Sequence, residues 1–538
     1  MIRGEVRGDD TAFSVAARSR ISGNQFPLAS VSGAGTLASA HAGEAILTMT
    51  TGPKPHDSHR TRRLLLAILA IAAGLRFYDL GSESVWLDEA VTAERVKLGY
   101  VEMSTDWDSP KQGPLFYLFE KAWCDAFGTR EFALRFPSAV FGLLTVFAVY
   151  GMGRELFSER AGLIAALLVA ANPFAIRYSQ EARPYTLFFL LTTISVTYAT
   201  RLARSPSRGN LVRHAVSTAG AITTHPYGVF VLGLHLVIAG IESVSRGADG
   251  ARRSAKALLG GLAAAALLST PVLASYAIGF TRKLRGEPFV AWISKPGIGT
   301  PVTFVLEYFE SRALGGIVCL LIAAMVCLRL RGDARTKTSI AVLAAVVGSL
   351  ILVPWAISFV RAPILVPRYT IPALGAVILL AGWALAGLPR GPRALAIAVL
   401  LVLTSRPLFD YYTGVDKDPW RPAARWLDAQ VRPRDMVLVM ENGRPPLEYY
   451  FRPTADVRIV PVTVTTDVAD VSRESSRVWV VGTERMPPAF LDSIRAVLRP
   501  RFRERATHDA SEGLDLNPRS PFWATIRLTL YESISRAP

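Results

Sequence analysis

Long apolar runs alternate with short charged segments along most of the chain, from Arg62 onward. Eleven of these runs have the composition of membrane-spanning helices, which need about 20 predominantly apolar residues for a full crossing. They cover approximately residues 63–78, 132–151, 161–176, 184–202, 213–224, 226–243, 256–276, 313–329, 338–359, 369–388 and 393–408. The pattern predicts a polytopic α-helical membrane protein with about eleven transmembrane helices.

The segment 213–243 allows two interpretations, because its first run is shorter than a full crossing requires. It is either two helices or one long helix broken at Pro226, and the second interpretation inverts every later crossing. Charge favours two helices, since all basic clusters then fall on one side, which the positive-inside rule makes the cytoplasm. Those clusters are Arg62–Arg63, Arg201–Arg213, Arg246–Lys256, Arg329–Lys337 and Arg390–Arg393.

This orientation places the N-terminus in the cytoplasm and the C-terminus outside it. The segments that then face outward are 79–131, YSQEARPY (178–185), HPYG (225–228), 277–312 and VPRY (366–369). The sequence thus predicts an integral protein of the plasma membrane, which in a bacterium is the inner membrane. The outer surfaces of its transmembrane helices are expected to contact membrane lipids.

The two ends of the chain lack this alternation. Residues 1–58 are rich in Gly, Ala, Ser and Thr, which predicts a disordered leader, and Met49 is the more natural start of the protein. Residues 411–538 show short strand patterns between helical ones, which predicts a small α/β accessory domain outside the cytoplasm. Residues 59–410 form the predicted transmembrane domain, with the outward segment 79–131 as its catalytic loop.

Composition supports this division and excludes other classes. Hydrophobic residues make up 51% of the 538 residues, and the mean hydropathy is +0.30. The net charge of +17 does not indicate nucleic-acid binding, because the basic residues lie mainly between apolar runs. Cys124, Cys319 and Cys327 have no spacing that predicts a disulfide framework or a zinc site.

The segment from Val85 to Tyr117 is unusually acidic for a stretch that follows a membrane span. Asp88 and Glu89 stand at the predicted start of a surface helix, where adjacent side chains point about 100° apart. One can therefore act as a base, while the other orients an acceptor or pairs with a cation. Capping of the helix is the structural alternative for Asp88.

Cations and aromatic residues of other outward segments are candidates for binding a lipid phosphate. Arginine presents a planar fork of donors that suits phosphate, although contact with lipid headgroups is the alternative for any arginine at a helix end. His225 is a candidate for phosphate or metal binding, or a local hydrogen-bonding residue at a helix break. The candidates are Lys111, Tyr178, Arg183, Tyr185, His225, Arg368 and Tyr369, with Arg177 beside them.

Four motifs, in this order, resemble one known family. They are W-L-D-E-A after the first span, G-P-L-F-Y, A-L-R-F-P-S-A at the second span and Y-S-Q-E-A-R-P-Y-T-L. The chain resembles, over roughly residues 62–410, the C-type membrane glycosyltransferases related to the protein O-mannosyltransferases and the bacterial aminoarabinose transferase. DPWRPAARWLDAQV also looks like the start of the outer domain of bacterial members.

The resemblance implies an inverting transfer of a sugar from a polyprenyl-phosphate donor to an acceptor outside the cytoplasm, which is a glycan, a lipid or a protein. The family's loop aspartate falls on Asp88, the general base, and Glu89 completes the pair. The family often has a histidine or lysine before Pro-Pro-Leu-Tyr-Tyr, and this chain has the stretch from Lys111 to Tyr117 there. Gln112 replaces the basic residue, and Lys111 lies one position earlier, so the chain departs from the family pattern here. Asp108 joins the predicted substrate-binding residues.

Some alternatives stay open at the level of sequence. No cofactor is implied with certainty, and a divalent metal bridging Asp88 or Glu89 to phosphate is an open alternative. A transporter or flippase for a lipid-linked saccharide is the alternative function, but the chain shows neither the repeat nor the mid-span acids typical of transporters. A purely structural protein leaves the acidic segment unexplained.

Overall fold

The computed structural model describes residues 55–105, 112–245, 248–284, 293–329, 332–415, 417–453, 456–463, 466–483, 488–514 and 525–534. Most of the predicted leader and the loop 106–111, which contains Asp108 and Lys111, lie outside the described residues.

Helices dominate the chain as far as residue 413. Those of the first half are Pro55–Phe77, Leu87–Arg95, Tyr100–Thr105, Pro114–Phe127, Glu131–Leu156, Glu159–Ala171, Pro173–Ser179, Tyr185–Arg204, Arg208–Thr224, Gly228–Val244, Ala248–Leu268 and Thr270–Leu284. Those that follow are Thr300–Glu307, Arg312–Arg329, Ala334–Val347, Val353–Val360, Ile371–Ala386 and Arg390–Thr413. A π-helical turn at Gly348–Leu352 and a 3-10 turn at Pro367–Thr370 complete them.

Each predicted apolar run coincides with helix. Among the residues that the structure describes, six helices are long and apolar enough to cross a membrane, and up to eight if each of two bent pairs is one span. The bent pairs change direction by 63° after Ala171 and by 74° after Leu268. A polytopic helical architecture is therefore confirmed by six to eight candidate spans, while the number of eleven crossings stays a prediction.

The segment 213–243 consists of two helices, Arg208–Thr224 and Gly228–Val244. The imidazoles of His214 and His235 lie 3.1 Å apart, between Nε2 of the first and Nδ1 of the second. These residues are about equally far from the break at Pro226, so the two helices run antiparallel, side by side. The single broken helix is excluded.

The core of the helical part surrounds the helix Ile371–Ala386. Backbones approach closely there, which only small residues permit. A Cβ atom at Gly382 would lie 2.8 Å from the carbonyl oxygen of Ala161, and one at Gly153 would lie 2.6 Å from the Cα atom of Gly162. Glycine is therefore required where these helices cross.

A five-stranded sheet lies in the C-terminal part, in the strand order β2-β1-β3-β5-β4. The strands are β1 Met436–Met440, β2 Arg458–Val462, β3 Arg477–Thr483, β4 Phe502–Asp509 and β5 Ile526–Ser533. β1 pairs in parallel with β2 and β3, while β5 is antiparallel to both β3 and β4. The associated helices are Trp420–Gln430, Arg444–Tyr450, Val468–Val471 and Pro488–Leu498.

The carboxyl end of β1 faces the helical part, because the helix that follows it contacts the segment 81–135. Tyr450 accepts a hydrogen bond from the main-chain N–H of Val85 at 2.7 Å and donates one to Glu131 at 3.0 Å. Arg421 pairs with Glu131 at 2.6 Å and also donates to main-chain oxygens at residues 81–83. The sheet domain thereby fixes the start of the predicted catalytic loop.

Candidate active site

The helix Leu87–Arg95 presents Asp88 and Glu89 in its first turn. Its N-cap is Trp86, which makes no side-chain capping bond, so neither acid occupies the capping position. The two side chains diverge as helical geometry requires. Glu89 is fully buried, whereas the side chain of Asp88 keeps 25% of its surface exposed.

Glu89 is bound by two cations from distant parts of the chain. Arg135 contacts both carboxylate oxygens, at 2.8 and 2.7 Å, and the Nζ atom of Lys417 lies 3.4 Å from each. The main-chain N–H of Ala182 donates a further bond at 3.1 Å. Burial by itself raises the pKa of Glu89, but the charges of Arg135 and Lys417 outweigh it and lower that pKa to about 2. Of the roles considered for Glu89, pairing with a cation is the one this geometry supports.

Asp88 faces two arginines that come from two segments predicted to face outward, 178–185 and 366–369. One guanidinium nitrogen of Arg183 and one of Arg368 each lie 3.7 Å from the same carboxylate oxygen of Asp88. Arg183 is also held by the main-chain oxygen of Asp88, to which it donates at 3.1 Å. The structure thus brings an accessible carboxylate beside two forked cations.

Aromatic side chains enclose these two arginines. The guanidinium of Arg368 lies 5.9 Å from the ring centroid of Tyr185 and 5.6 Å from that of Tyr369. Tyr178 packs edge-on against Tyr185, with ring centroids 5.4 Å apart. An aromatic ring attracts a guanidinium without neutralising its positive charge. Both guanidiniums can therefore still bind an anion.

His225 belongs to the same aromatic group, with its ring centroid 4.8 Å from that of Tyr369. Its Nδ1 atom accepts a hydrogen bond from the main-chain N–H of Tyr227 at 3.2 Å. Burial, together with the charges of Arg183 and Arg368, lowers the pKa of His225 to about 3. The imidazole is therefore neutral near pH 7, and its contacts are those of a local hydrogen-bonding residue.

Gln112 and Tyr117 connect the far end of the acidic segment to the same site. The hydroxyl of Tyr117 donates to the side-chain oxygen of Gln112 and accepts from Arg183 at 3.3 Å. The guanidinium of Arg95 lies 4.4 Å from the centre of the Tyr117 ring. Gln112, the departure from the family pattern, thus reaches Arg183 through a tyrosine.

Arg177, the third arginine that was predicted to face outward, binds a carboxylate other than that of Asp88. It pairs with Glu310 through two bonds, at 2.8 and 3.0 Å, and its guanidinium lies 4.9 Å from the ring centroid of Tyr411. These contacts join the helix Pro173–Ser179 to the segment before Arg312 and to the last long helix. They indicate a structural role for Arg177.

Several buried charged residues beside Asp88 and Glu89 were not among the predicted site residues, among them Arg135, Glu181 and Lys417. Glu181 is fully buried, and neither carboxylate oxygen has a hydrogen-bond partner among the described residues. Burial raises the pKa of Glu181 to about 8, although Lys417 and Arg368 act in the opposite direction. Glu181 could have been singled out from YSQEARPY, whereas nothing in the tail distinguishes Lys417.

The carboxylates that the structure describes around Asp88 do not fit a divalent metal. Asp88 has two guanidiniums within 3.7 Å, and Glu89 is already bound by Arg135 and Lys417. Among the residues that the structure describes, no group of three or more His, Cys, Asp or Glu side chains could hold a metal ion. The arrangement suits an anion that meets two arginines next to a carboxylate.

The helical bundle resembles the fold of solved membrane glycosyltransferases. The structure of ArnT from Cupriavidus metallidurans in the apo state matches with a TM-score of 0.56 at 16% identity, covering 91% of this chain and 98% of that chain. The same protein bound to undecaprenyl phosphate matches at 0.54 with 16% identity, over 86% and 97% of the two chains.

The Archaeoglobus fulgidus oligosaccharyltransferase in complex with Zn and sulfate matches at 0.53 with 14% identity, covering 78% of this chain and 67% of that chain. The sequence profile described as dolichyl-phosphate-mannose-protein mannosyltransferase matches residues 110–274, which is less than half of the chain. No curated protein matches the chain by sequence. The resemblance to membrane glycosyltransferases that the sequence predicted is confirmed, and the solved structures show the shared fold.

Proposed function

We propose that the protein is an inverting membrane glycosyltransferase. It moves a sugar from a polyprenyl-phosphate donor to an acceptor outside the cytoplasm, and Asp88 is its general base. The observation that carries this proposal is the position of Asp88, partly exposed and 3.7 Å from both Arg183 and Arg368. A proton acceptor and two phosphate-binding groups therefore share one small site.

The transfer is a single displacement. The acceptor's hydroxyl or amine attacks the anomeric carbon while Asp88 takes its proton. The bond between the anomeric carbon and the phosphate oxygen breaks, and the electron pair leaves with the polyprenyl phosphate. Arg183 and Arg368 stabilise the negative charge that develops on that phosphate. Such electrostatic stabilisation by fixed groups is usually the largest single contribution to the rate enhancement of an enzyme.

Two similarities support the donor class. One solved structure with this fold is of a protein bound to undecaprenyl phosphate, and the matching sequence profile is described by a dolichyl-phosphate sugar donor. The six to eight candidate spans supply the apolar surroundings that a polyprenyl chain needs. The acceptor class, the cytoplasmic N-terminus and the outward position of the sheet domain are parts of the proposal.

Transfer by the purified full-length protein tests the proposal. Labelled polyprenyl-phosphate sugars are incubated with membrane extract as the acceptor source, and labelled product is separated from the donor. We expect Asp88→Asn to lower the turnover number by roughly 10²- to 10⁴-fold, the usual cost of removing a positioned base. Near-normal turnover in this variant would remove Asp88 from the role.

Two controls separate catalysis from folding and from transport. Asp88→Asn should retain the thermal transition of the wild type, because Asp88 is partly exposed and makes no short ion pair. Glu94→Gln, a carboxylate change on the exposed side of the same helix, should retain full transfer. Movement of the donor lipid across liposomes without any transfer would favour a flippase instead.

A further inference from the structure

The edge of the sheet that points away from the helical part carries a concentration of arginines. β1, β2, β3 and β4 all run in the same direction, so their first residues meet at that edge. Exposed arginines precede or begin these strands, and we call them the basic edge: Arg432, Arg434, Arg458, Arg499, Arg501 and Arg503.

The charge is unevenly distributed between the two edges. Two carboxylates that share the basic edge are engaged: Asp435 is buried against Arg477 at 3.1 Å, and Glu532 pairs with Arg477 and Arg505. The exposed carboxylates there are Asp456 and Glu504. The opposite edge carries the acids that follow the strands, namely Glu441, Asp467, Asp509 and Glu512. An exposed surface rich in one sign of charge attracts ligands of the other sign.

A surface cleft of about 450 Å³ opens at this edge, and arginines line it. Arg495, Arg499 and Arg503 line the cleft, so arginines outnumber its one carboxylate, Glu504. The other lining residues are Phe502, Tyr531 and Ile534. This volume lies within the roughly 300–1,000 Å³ of small-molecule sites, and arginine forks bind carboxylate or phosphate groups in two-point fashion. The cleft therefore suits a single anionic sugar unit, with further arginines of the basic edge beside it.

We propose that the basic edge binds an acidic polysaccharide and holds it beside the enzyme. Lipid headgroups around the bundle fit this surface less well. The strands between the basic edge and the edge that contacts the helical part are five or more residues long, and each residue adds about 3.3 Å. The basic edge is therefore held away from the helical part and from the lipids around it. The choice of a glycan rests on the proposed function, in which the acceptor, a glycan among the classes considered, lies outside the cytoplasm on the same side as the sheet domain. The cluster of arginines and the cleft are independent of it.

Binding of fluorescent polygalacturonate to the full-length protein in neutral-lipid nanodiscs tests the proposal. We expect saturable binding that weakens as salt is raised, since screening shortens the reach of exposed charges, and no binding of neutral dextran. The triple variant Arg499→Gln, Arg501→Gln and Arg503→Gln should bind roughly tenfold more weakly, equivalent to losing a few exposed ion contacts.

The matched control removes the same charge elsewhere in the domain. The triple variant Arg425→Gln, Arg452→Gln and Arg527→Gln changes exposed arginines away from the basic edge and should stay within about twofold of the wild type. Equal loss in both triple variants, no loss in the first, or binding of dextran overturns the proposal. So does competition by anionic vesicles that exceeds competition by unlabelled polygalacturonate, because the surface then belongs to lipid.

The Asp88→Asn protein separates this proposal from the proposed function. Because the basic edge lies on the sheet domain, Asp88→Asn should bind polygalacturonate like the wild type even though its transfer activity is strongly reduced. Binding without transfer in the wild type would contradict the catalytic proposal and leave the surface in place. Transfer without binding would contradict the proposed role of the basic edge and leave the catalytic proposal in place.

Discussion

The ammonium group of Lys417 lies 3.4 Å from both carboxylate oxygens of Glu89, although 328 residues separate the two in the chain. Lys417 also donates to the main-chain oxygen of Gln180 at 3.1 Å. The segment that leads into the sheet domain is therefore anchored directly behind the loop that carries Asp88. A residue from the tail helps to fix the position of the proposed base.

Removing this anchor should destabilise the protein. Lys417→Met leaves Glu89 buried with a single cation, and breaking a buried pair costs about 3 kcal/mol or more. We expect a lower thermal transition in detergent for Lys417→Met. Arg425→Met, an equal change at an exposed position of the neighbouring helix, should show no such loss. Equal stability of Lys417→Met and the wild type would contradict a role for this contact.

Glu89 should make the free energy of unfolding fall at acidic pH. Its pKa falls from 4.5 in the unfolded chain to about 2 in the folded one, so the ionised form stabilises the fold above about pH 4.5. That contribution, about 3 kcal/mol, is lost as the pH falls from about 4.5 towards 2. Denaturation curves measured over this range should show a steeper loss for the wild type than for Glu89→Gln.

Glu89→Gln also provides a contrast with Asp88→Asn. The glutamine leaves two cations buried without their shared carboxylate, so this variant should be less stable than the wild type at pH 7. Asp88→Asn, by comparison, should lose transfer while keeping its stability. If Asp88→Asn were the less stable of the two, the assignment of one acid to structure and the other to chemistry would be wrong.

Glu181 should make the protein less stable as the pH rises, which is the opposite of the effect of Glu89. Burial raises its pKa from 4.5 to about 8, so the folded state favours the protonated acid. The stabilisation is complete below about pH 4.5 and is lost as the pH rises through about 8. Glu181→Gln mimics the neutral acid, and its thermal transition should therefore exceed that of the wild type at pH 8.5. A lower transition for Glu181→Gln at that pH would show that the ionised carboxylate is needed.

Arg368 should matter chiefly for the donor phosphate. Arg368→Lys keeps the charge but loses the planar fork, and Arg368→Gln loses both. We expect kcat/KM for the donor to fall roughly 10- to 100-fold in Arg368→Gln, the cost of one charged hydrogen bond, and by less in Arg368→Lys. Steady-state kinetics at varied donor concentration measures this. Arg406→Gln, at a position 75% exposed on the last long helix, should be unaffected.

The sequence anticipated much of the site by composition of the outward segments. Arg183, Tyr185, His225, Arg368 and Tyr369 were expected on one side of the membrane, and the structure groups them in one cluster. Of these, Arg183 and Arg368 lie 3.7 Å from Asp88, while their role in substrate binding stays a prediction. Such segments are recognisable because polar residues are costly next to membrane helices and stand out from their surroundings. The sequence did not anticipate β4 and β5. β4 lacks the alternation of a strand pattern, because residues 503–507 are all exposed and begin with Arg503, Glu504 and Arg505, and its antiparallel partner lies beyond a long connection.

Hydropathy along the chain determines where the helices form and where they stop, because a membrane helix satisfies its own backbone locally. It also determines which polar residues are left between them. Only the tertiary structure decides that Glu89 is buried with Arg135 and Lys417 while Asp88, one residue earlier, faces two arginines. Partners of a buried charge come from distant segments, and their choice depends on packing in three dimensions, which no local pattern records.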